Sequence, residues 1–268
     1  MIPFLILLAI ALFAVYFFTA MYPKKGVVTT VTPIDPAWLI EHVLFYSELD
    51  ADNRKRFEQK LSAFLTKVRI TGVDTPVSDT DRLLIGAAAI IPIFHFDNWE
   101  YPNLREVLLY SDSINMDFET KGHADRNILG MVGTGPLEGS LLLSKHALQQ
   151  GFLNQTDKNN TAIHEFVHLI DKLDGETDGI PELLLNKPFV LPWINLMHEK
   201  IQQIAEGESD INPYATMNKA EFFAVASEYF FERPDLLAEK HPKLYAMLKG
   251  MFGGGLDDGD AGYRIKDT

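Results

Sequence analysis

The pattern of hydrophobic and polar positions separates an apolar start from a longer, amphipathic remainder. Residues 1–23 contain no charged side chain, and Lys24 and Lys25 follow at once. A helix of about 20 apolar residues is long enough to cross the hydrocarbon core of a bilayer. We therefore predict a transmembrane helix over residues 1–23. Residues 24–36 are rich in small, β-branched and proline residues, and we predict a linker there.

The charges around residues 1–23 indicate whether this segment is cleaved and how it is oriented in the membrane. Cleavage as a signal peptide, after Phe18-Thr19-Ala20, is the alternative to an anchor. A signal peptide normally carries basic residues ahead of a shorter apolar run, and none precede this one. Lysines behind a membrane span favour a cytoplasmic position for the chain that follows. We expect a single span that anchors a cytoplasmic domain.

After the linker, apolar residues recur with helical spacing. Residues 36–68 predict two helices separated by a break at 50–53, and residues 81–96 predict a buried helix. Asp81 is the expected N-cap of this buried helix, which should end towards Pro92. Three more helices are predicted at residues 159–173, 193–206 and 218–232, and short C-terminal helices are predicted within 234–252.

Short apolar runs bounded by turn residues predict strands at the start of residues 68–79, at 106–110 and at 140–144. Residues 130–139 are rich in glycine, but neither a Lys-Ser/Thr pair nor a helix follows. We therefore predict turns of a hairpin or an edge strand there instead of a phosphate-binding loop. Residues 253–268 predict a flexible tail. The predicted fold class is α+β, mostly helical with a small β-sheet, preceded by a single N-terminal transmembrane helix.

The amino-acid composition limits which partners and which kinds of metal site are possible. The formal net charge of -13 argues against a nucleic-acid partner, because neutralising phosphates requires a basic face. The chain has no cysteine, so disulfides and thiolate metal sites are excluded. Any metal ion must therefore be bound by His, Asp and Glu.

The segment HEFVH, at residues 164–168, carries the candidate chemistry. Residues four apart lie one turn apart on the same helical face, so His164 and His168 can direct both imidazoles at one metal ion. Glu165 lies beside them, where it can reach a metal-bound water. The alternative is two incidental histidines on a buried helix, because so short a pattern also arises by chance.

A catalytic zinc ion needs a third protein ligand and an open position for water. Without cysteine, the candidates are His198, His241 and the carboxylates of residues 218–232. On that helix Glu221 and Glu228 are seven residues apart and share a face, whereas Glu232 belongs to the cap region. Spacing does not choose between Glu221 and Glu228.

Two segments of the chain resemble a known family: HEFVHLIDKLDGETDGIP, which begins at His164, and NPYATMNKAEFFAVASEYFFERP, which begins at Asn212. They resemble the MtfA family of zinc-dependent peptidases, which is related to the catalytic domain of anthrax lethal factor. RLLIGAAAI, VLLYSDS and GPLEGSLLLSKHAL extend a looser resemblance over most of the chain behind the apolar start. The resemblance implies a zincin-like metallopeptidase domain over residues 37–252.

The resemblance also implies roles for single residues. Glu221, the glutamate of the AE-x-F sequence, would be the third zinc ligand beside His164 and His168. Tyr214, seven residues earlier, would hydrogen-bond the reacting carbonyl, and a phenol there can stabilise a developing oxyanion. Glu228 would then face the core or hold the other ring nitrogen of a ligand histidine.

Two of the candidate residues have competing interpretations. Asp171 lies three residues beyond His168 on the same helical face, so it either hydrogen-bonds a ligand histidine or faces solvent at the helix end. Tyr214 is otherwise a turn residue that follows Asn212-Pro213.

The predicted function is that of a zinc-dependent metallopeptidase that binds one Zn²⁺ and cleaves a peptide or protein substrate. Glu165 would act as general base on the zinc-activated water. The alternative is a regulatory binding protein that sequesters a transcriptional repressor, because the soluble prototype of the family binds a repressor of sugar uptake. A third interpretation is a structural membrane protein with a degenerate site. The predicted anchor departs from the soluble members, and with it we expect a single-pass protein of a bacterial inner membrane whose catalytic domain is cytoplasmic.

Overall fold

Three parallel strands and one antiparallel strand form a mixed sheet in the computed structural model, which describes residues 32–115 and 128–253. The strands are β1 (Arg69–Val73), β2 (Glu106–Tyr110), β3 (Gly130–Val132) and β4 (Ser140–Ser144), in the spatial order β1-β2-β4-β3. β1, β2 and β4 run parallel, and β3 pairs antiparallel with β4 at the edge of the sheet. The predicted strands at 106–110 and 140–144 are confirmed. The glycine-rich segment forms the edge strand β3 and a 3₁₀ turn at Gly135–Leu137, as predicted.

The helices make up most of the described structure. They are α1 (Pro36–His42), α2 (Leu44–Glu48), α3 (Ala51–Lys67), α4 (Asp79–Ile93), α5 (Lys145–Leu153), α6 (Thr161–Asp171), α7 (Lys187–Ala205), α8 (Lys219–Glu232), α9 (Pro234–Lys240) and α10 (Pro242–Phe252). Further 3₁₀ turns occur at Lys172–Asp174 and Pro213–Thr216. The α+β class, mostly helical with a small sheet, is therefore confirmed.

Side chains alternate along the central strands and give the sheet two different faces. Those that point towards the helices are almost completely buried in the main core: Val107, Leu109, Leu141 and Leu143. Leu142 points to the opposite face and packs in a smaller cluster with Tyr110 and Ile114. The helices therefore cover one face of the sheet with the main core.

The start of α4 differs from the prediction. Ser78, and not Asp81, is the N-cap: its hydroxyl accepts a hydrogen bond from the Asp81 N–H at 3.1 Å. The Asp81 carboxylate accepts the Ser78 N–H in return at 2.8 Å, which completes a capping box. The predicted cap residue therefore lies inside the first turn, because serine and aspartate are both good caps and three residues separate them.

α7 begins earlier than the predicted residues 193–206. Pro188 lies in its first turn, where the missing N–H is no loss, and Pro192 removes one further hydrogen bond. These two prolines conceal the start of the helix in the sequence. The predicted helix at 159–173 is shorter in the structure, since α6 ends at Asp171 and continues as a 3₁₀ turn.

α6 is the central helix of the fold. Every residue from Ala162 to Asp171 is buried, and the helix packs against α4, α5, α8 and β3. Because α6 touches solvent over so little of its surface, its polar residues must find partners on the neighbouring elements.

The membrane prediction concerns a part of the chain that the structure does not describe. Within residues 32–115 and 128–253, no helix is long and apolar enough to cross a bilayer. The predicted span at 1–23 lies outside these residues, as do most of the predicted linker and residues 254–268 of the predicted tail. These assignments stay predictions.

Candidate metal centre

The start of α6 is held by its N-cap, Asn160. The Asn160 Oδ1 accepts the N–H of Ile163 at 3.1 Å, and its Nδ2 donates to the carbonyl of Gly151 at 3.2 Å. A Cβ atom at Gly151 would lie 2.9 Å from the Asn160 Cγ, so a glycine allows α5 to approach this closely. A side-chain cap stabilises a helix by about 1 kcal/mol. Here it also fixes the turn that carries His164.

α8 begins in a similar way, because the Asn218 Oδ1 accepts the N–H of Glu221 at 2.9 Å. The loop that follows α6 packs against this helix start. Gly179 in that loop has a φ of +76°, and a Cβ atom there would lie 2.3 Å from the carbonyl oxygen of Lys219. The Trp193 indole donates to the Gly179 carbonyl at 2.7 Å and holds the loop in place. The sequence between α6 and α8 therefore positions Glu221.

Three side-chain atoms from α6 and α8 converge on one point. His164 Nε2 lies 2.9 Å from Glu221 Oε2 and 3.0 Å from His168 Nε2. The remaining separation, from His168 Nε2 to Glu221 Oε2, is 3.5 Å. Within the described part of the chain, these residues form the one group of three or more His, Asp or Glu whose ligand atoms lie within 4.8 Å of one another.

This donor set fits a zinc ion. A tetrahedral zinc ion with ligands at about 2.0–2.1 Å places neighbouring ligand atoms about 3.3 Å apart. The three separations in the structure lie on both sides of that value. Two imidazole nitrogens and one carboxylate form a set that catalytic zinc sites use, whereas Ca²⁺ and Mg²⁺ take oxygen ligands. The structure therefore brings His164, His168 and Glu221 together with the donor chemistry that zinc requires.

Glu228, the rival that spacing left open, approaches the other side of His164. Its Oε1 lies 2.7 Å from His164 Nδ1, and its Oε2 accepts the N–H of Asn160 at 2.5 Å. Because the contact at Nδ1 orients the ring, Nε2 is directed towards the other two candidate ligands. The remaining candidates lie elsewhere: His198 is exposed, and His241 belongs to a separate cluster.

The carboxylates and histidines of this centre shift one another's pKa. Burial lowers the pKa of His164, but the hydrogen bonds with Glu221 and Glu228 outweigh burial and raise it to about 10. Burial raises the pKa of Glu221, but His164 and His168 outweigh it and lower the pKa to about 2. Protons and a metal ion would therefore compete for His164, because an imidazole must be neutral to bind a metal.

Glu165 lies on the side of α6 that faces the edge strand β3. It is 6% exposed, and a Cβ atom at Gly130 would lie 2.6 Å from its Cγ and 2.7 Å from its Oε1. Burial raises the pKa of Glu165, although His164 and His168 work in the opposite direction. A carboxylate with a raised pKa binds a proton more readily at neutral pH, which suits a general base.

Tyr214 lies on the 3₁₀ turn that precedes α8, so the turn interpretation of this residue describes its backbone correctly. Its ring centroid is 6.1 Å from that of His164, and the residue is 47% exposed. Burial raises the pKa of the phenol, and so do the carboxylates of Glu221, Glu165 and Glu228. The hydroxyl therefore keeps its proton at neutral pH and can donate it in a hydrogen bond.

Asp171 is completely buried, so its interpretation as a solvent-facing residue is wrong. Its Oδ2 accepts the N–H of Gly179 at 2.8 Å, which ties the loop to the end of α6. Its Oδ1 and the Nδ1 of His168 are buried without a hydrogen-bond partner among the described residues. Burial raises the pKa of Asp171 to about 7. The alternative role, a hydrogen bond to a ligand histidine, is therefore absent from the contacts that the structure describes.

Two further residues, Gly130 and Glu232, contribute to the surroundings of α6 without belonging to the predicted site. The glycine-rich pattern predicts only turns or an edge strand around Gly130, whereas the structure shows that its lack of a side chain makes room for Glu165. Glu232 lies in the predicted cap region, as the last residue of α8, where it is 6% exposed and its Oε2 accepts the N–H of Asn159 at 3.0 Å. Its spacing from Glu228 and Glu221 places all three carboxylates on one face of α8. That signal was present in the sequence.

The comparison with known proteins agrees with this arrangement. A family model described as glucose-regulated metallo-peptidase M90 matches residues 25–253. The chain belongs to this M90 family. The resemblance to the MtfA family is thereby confirmed, and the M90 match covers all described residues.

The relatives of this M90 protein carry two kinds of name. It is 28% identical over 233 residues to the uncharacterized protein slr2042 of Synechocystis sp., over 82% of this chain and 84% of that protein. It is 28% identical over 215 residues to Mlc titration factor A of Pectobacterium atrosepticum, over 72% of this chain and 78% of that protein. Mlc titration factor A of Serratia proteamaculans is 30% identical over 156 residues, over 52% of this chain and 56% of that protein.

Proposed function

We propose that this protein is a zinc-dependent peptidase. The observation that carries the proposal is the convergence of two histidine nitrogens and a carboxylate beside the buried Glu165, in a chain of a metallo-peptidase family. His164, His168 and Glu221 would hold one zinc ion. The fourth position of a catalytic zinc site stays open for water or substrate.

The residues around the ion would divide the chemistry of peptide hydrolysis. Zinc, when bound, supplies a Lewis acid that polarises the scissile carbonyl and makes water a better nucleophile. Glu165 would take a proton from the attacking water and deliver it to the leaving amine. The Tyr214 hydroxyl would donate a hydrogen bond to the carbonyl oxygen as negative charge develops there. Glu228 would keep the His164 ring oriented through Nδ1.

The outer edge of β3 offers a surface along which a substrate chain would bind. The carbonyl of Leu129 and the N–H of Gly133 bond to β4. Because backbone groups alternate along a strand, those of Gly130 and Val132 point away from β4. An extended peptide can pair with such an edge through main-chain hydrogen bonds. A peptide bound in this way would run past Glu165, whose side chain occupies the space that a Cβ atom at Gly130 would need.

The replacement Glu165→Gln tests the proposal. Glutamine keeps the size of the side chain but cannot accept the proton, so we expect peptide hydrolysis to fall by at least about 100-fold. Zinc content is expected to stay at one ion per chain, because Glu165 is not among the three converging residues. Activity against a panel of peptides is the measurement, and Glu199→Gln, at a half-exposed position on α7, is the matched control. Full activity of zinc-loaded Glu165→Gln would rule out this mechanism.

A second candidate function is the sequestration of a regulatory protein, with peptidase activity secondary. The observation that favours it is the name of several relatives, Mlc titration factor A, which denotes titration of another protein. Glu165→Gln separates the two candidates in cells that lack the wild-type chain. If the phenotype is fully rescued by Glu165→Gln, binding is the function that matters there, and if it is not rescued, catalysis is.

A further inference from the structure

A cluster of hydrogen-bond donors surrounds Asp210, in the loop that joins α7 to the following 3₁₀ turn. The Tyr229 hydroxyl and the Lys240 Nζ lie 2.9 Å and 3.0 Å from its Oδ2, and His241 Nε2 lies 2.9 Å from its Oδ1. Lys158 Nζ contacts both the backbone oxygen of Asp210, at 2.7 Å, and Oδ2, at 3.2 Å. The same ammonium group lies over the Tyr229 ring, 4.6 Å from its centroid.

These donors come from three separate parts of the fold. Lys158 precedes α6, Tyr229 belongs to α8, and Lys240 and His241 lie at the junction of α9 and α10. Burial alone would raise the pKa of Asp210, but the four donors together lower it well below its usual range. The carboxylate is therefore ionised at neutral pH, and hydrogen bonds to an ionised acceptor are roughly twice as strong as neutral ones.

A short, constrained segment connects Asp210 to Tyr214. Ile211 is 2% exposed, and the Asn212 Oδ1 accepts the N–H of Tyr214 at 3.0 Å. Ala215, on the other side of Tyr214, is completely buried. The backbone of Tyr214 is thus held between the Asp210 cluster and a buried alanine.

The side chain of Tyr214 has little support of its own, since the residue is 47% exposed. Its position near His164 therefore depends on the backbone of the loop. The hydrogen bonds and ion pairs that Asp210 makes with described residues do not include His164, His168 or Glu221. Loosening of the loop is expected to move the tyrosine without moving the candidate zinc ligands.

We propose that Asp210 is a positioning residue for Tyr214. It fixes the loop before the tyrosine to α8, to the α9–α10 junction and to the segment that precedes α6. The inference rests on the proposed function, in which the Tyr214 hydroxyl stabilises the reacting carbonyl oxygen.

Kinetics of Asp210→Asn in the full, zinc-loaded chain give the first test. The asparagine keeps the shape but removes the charge that the donors share. Misplacing a catalytic group by about 1 Å can lower the rate by about 100-fold. For Asp210→Asn we expect kcat to fall by about 10-fold, with KM and zinc content unchanged. Lys240→Met removes one partly exposed donor and should lower kcat less, in the same direction. Asp97→Asn, which breaks an exposed ion pair with Arg56, is the control and should leave kcat unchanged.

A double-mutant cycle with Tyr214→Phe separates positioning from a general loss of structure. If Asp210 acts through the tyrosine hydroxyl, Asp210→Asn and Lys240→Met should have little further effect in the Tyr214→Phe background. An equal fold-loss in both backgrounds would overturn the proposal. So would an unchanged kcat in Asp210→Asn.

Hydrogen exchange supplies a readout that does not depend on activity. In Asp210→Asn we expect faster amide exchange in residues 206–217 and unchanged exchange in α6. Unchanged exchange in 206–217, or an equal increase in both segments, would overturn the positioning role. If the wild-type chain cleaves no peptide while exchange responds as expected, the proposed function fails and the role of Asp210 in holding the loop stands.

Discussion

Two buried glutamates of α8, four residues apart, are held in different ways. Glu228 hydrogen-bonds both His164 and the cap of α6 through its two oxygens. Glu232 has one oxygen on the Asn159 N–H, whereas its Oε1 is buried with no hydrogen-bond partner in the part of the chain that the structure describes. Burial raises the pKa of Glu232 to about 8, although the Asn159 N–H opposes this shift. Two carboxylates on one face of a helix therefore have different hydrogen-bond partners, and the pKa of Glu232 is raised where one of its oxygens is buried without a partner among the described residues.

Glu228→Gln should weaken zinc binding. The neutral amide still reaches the His164 Nδ1 but no longer makes the imidazole a stronger ligand. Loss of such a partner typically lowers metal affinity by about 10-fold to 100-fold. Competition with a chelator of known affinity measures the change, with Glu199→Gln as the control. Equal zinc affinity of Glu228→Gln and the wild type would show that this contact does not support the metal.

Glu232→Gln should change the pH dependence of stability. The folded-state pKa of about 8 lies above the ordinary value of 4.5, so the folded chain holds this proton more tightly than the unfolded chain. The resulting stabilisation is complete below pH 4.5 and is lost as the pH rises through 8.

The glutamine variant cannot ionise at this position. As the pH rises through this window, the free energy of unfolding of the wild type should therefore fall relative to that of the variant, by at most about 1.4 kcal/mol per pH unit. Urea unfolding of both chains at pH 5 and pH 9 measures the difference. A difference that is the same at both pH values would contradict the raised pKa.

At the scale of elements, α6 lies between β3 and α8, and each neighbour contributes differently. α8 supplies the carboxylates that meet the histidines. β3 supplies a strand edge without a side chain at Gly130, which lets the strand approach the Glu165 side of the helix. The candidate active site is thus the space that three elements share, and its geometry depends on how closely they pack.

Gly130→Ala should displace Glu165. The added Cβ would lie 2.6 Å from the Glu165 Cγ, which is closer than real Cβ contacts allow, so the glutamate or the strand must move. We expect kcat to fall by up to about 100-fold, because a misplacement of about 1 Å can cost that much. Zinc content should not change. Leu129→Ala, at the 44% exposed position just before β3, is the control. Full activity of Gly130→Ala would mean that Glu165 need not stay in its observed position.

At the scale of the whole molecule, the converging residues join parts of the chain that are far apart in sequence. His164 and Glu221 are 57 residues apart and meet between two helices that both contribute side chains to the main core. A bound metal ion would therefore cross-link α6 and α8. The main core extends from α1 to α10, so the fold does not depend on the ion alone.

Removal of metal should lower the melting temperature without unfolding the chain. Zinc at about 100 times its Kd adds about 2.7 kcal/mol of stability, which corresponds to a shift of roughly 5–10 °C for a domain of this size. Calorimetry of chelator-treated protein, before and after addition of zinc, measures the shift. Glu221→Ala is expected to show little response to zinc. An identical melting temperature with and without zinc in the wild type would contradict the metal site.

Short-range patterns in the sequence are sufficient to predict most of the local elements. The strands at 106–110 and 140–144 and the helix that ends at Glu232 follow from periodicity and from turn residues, which act over a few neighbouring positions. The pairing of His164 with His168 on one face also follows from helix geometry alone. The predicted helix boundaries were wrong in two situations. At Ser78 and Asp81 two good N-cap residues competed, and in α7 prolines in the first turns made the start of the helix hard to recognise.

Which helix faces meet is visible only in the folded chain. Glu221 and Glu228 lie on the same face of α8, and the packing of that helix against α6 brings the first to the Nε2 side of His164 and the second to the Nδ1 side. The cluster around Asp210 likewise brings together Lys158 and His241, which are far apart in the sequence and which no local pattern connects. Helical spacing specifies a direction around one axis. The partner found in that direction depends on long-range packing, which is a property of the whole core.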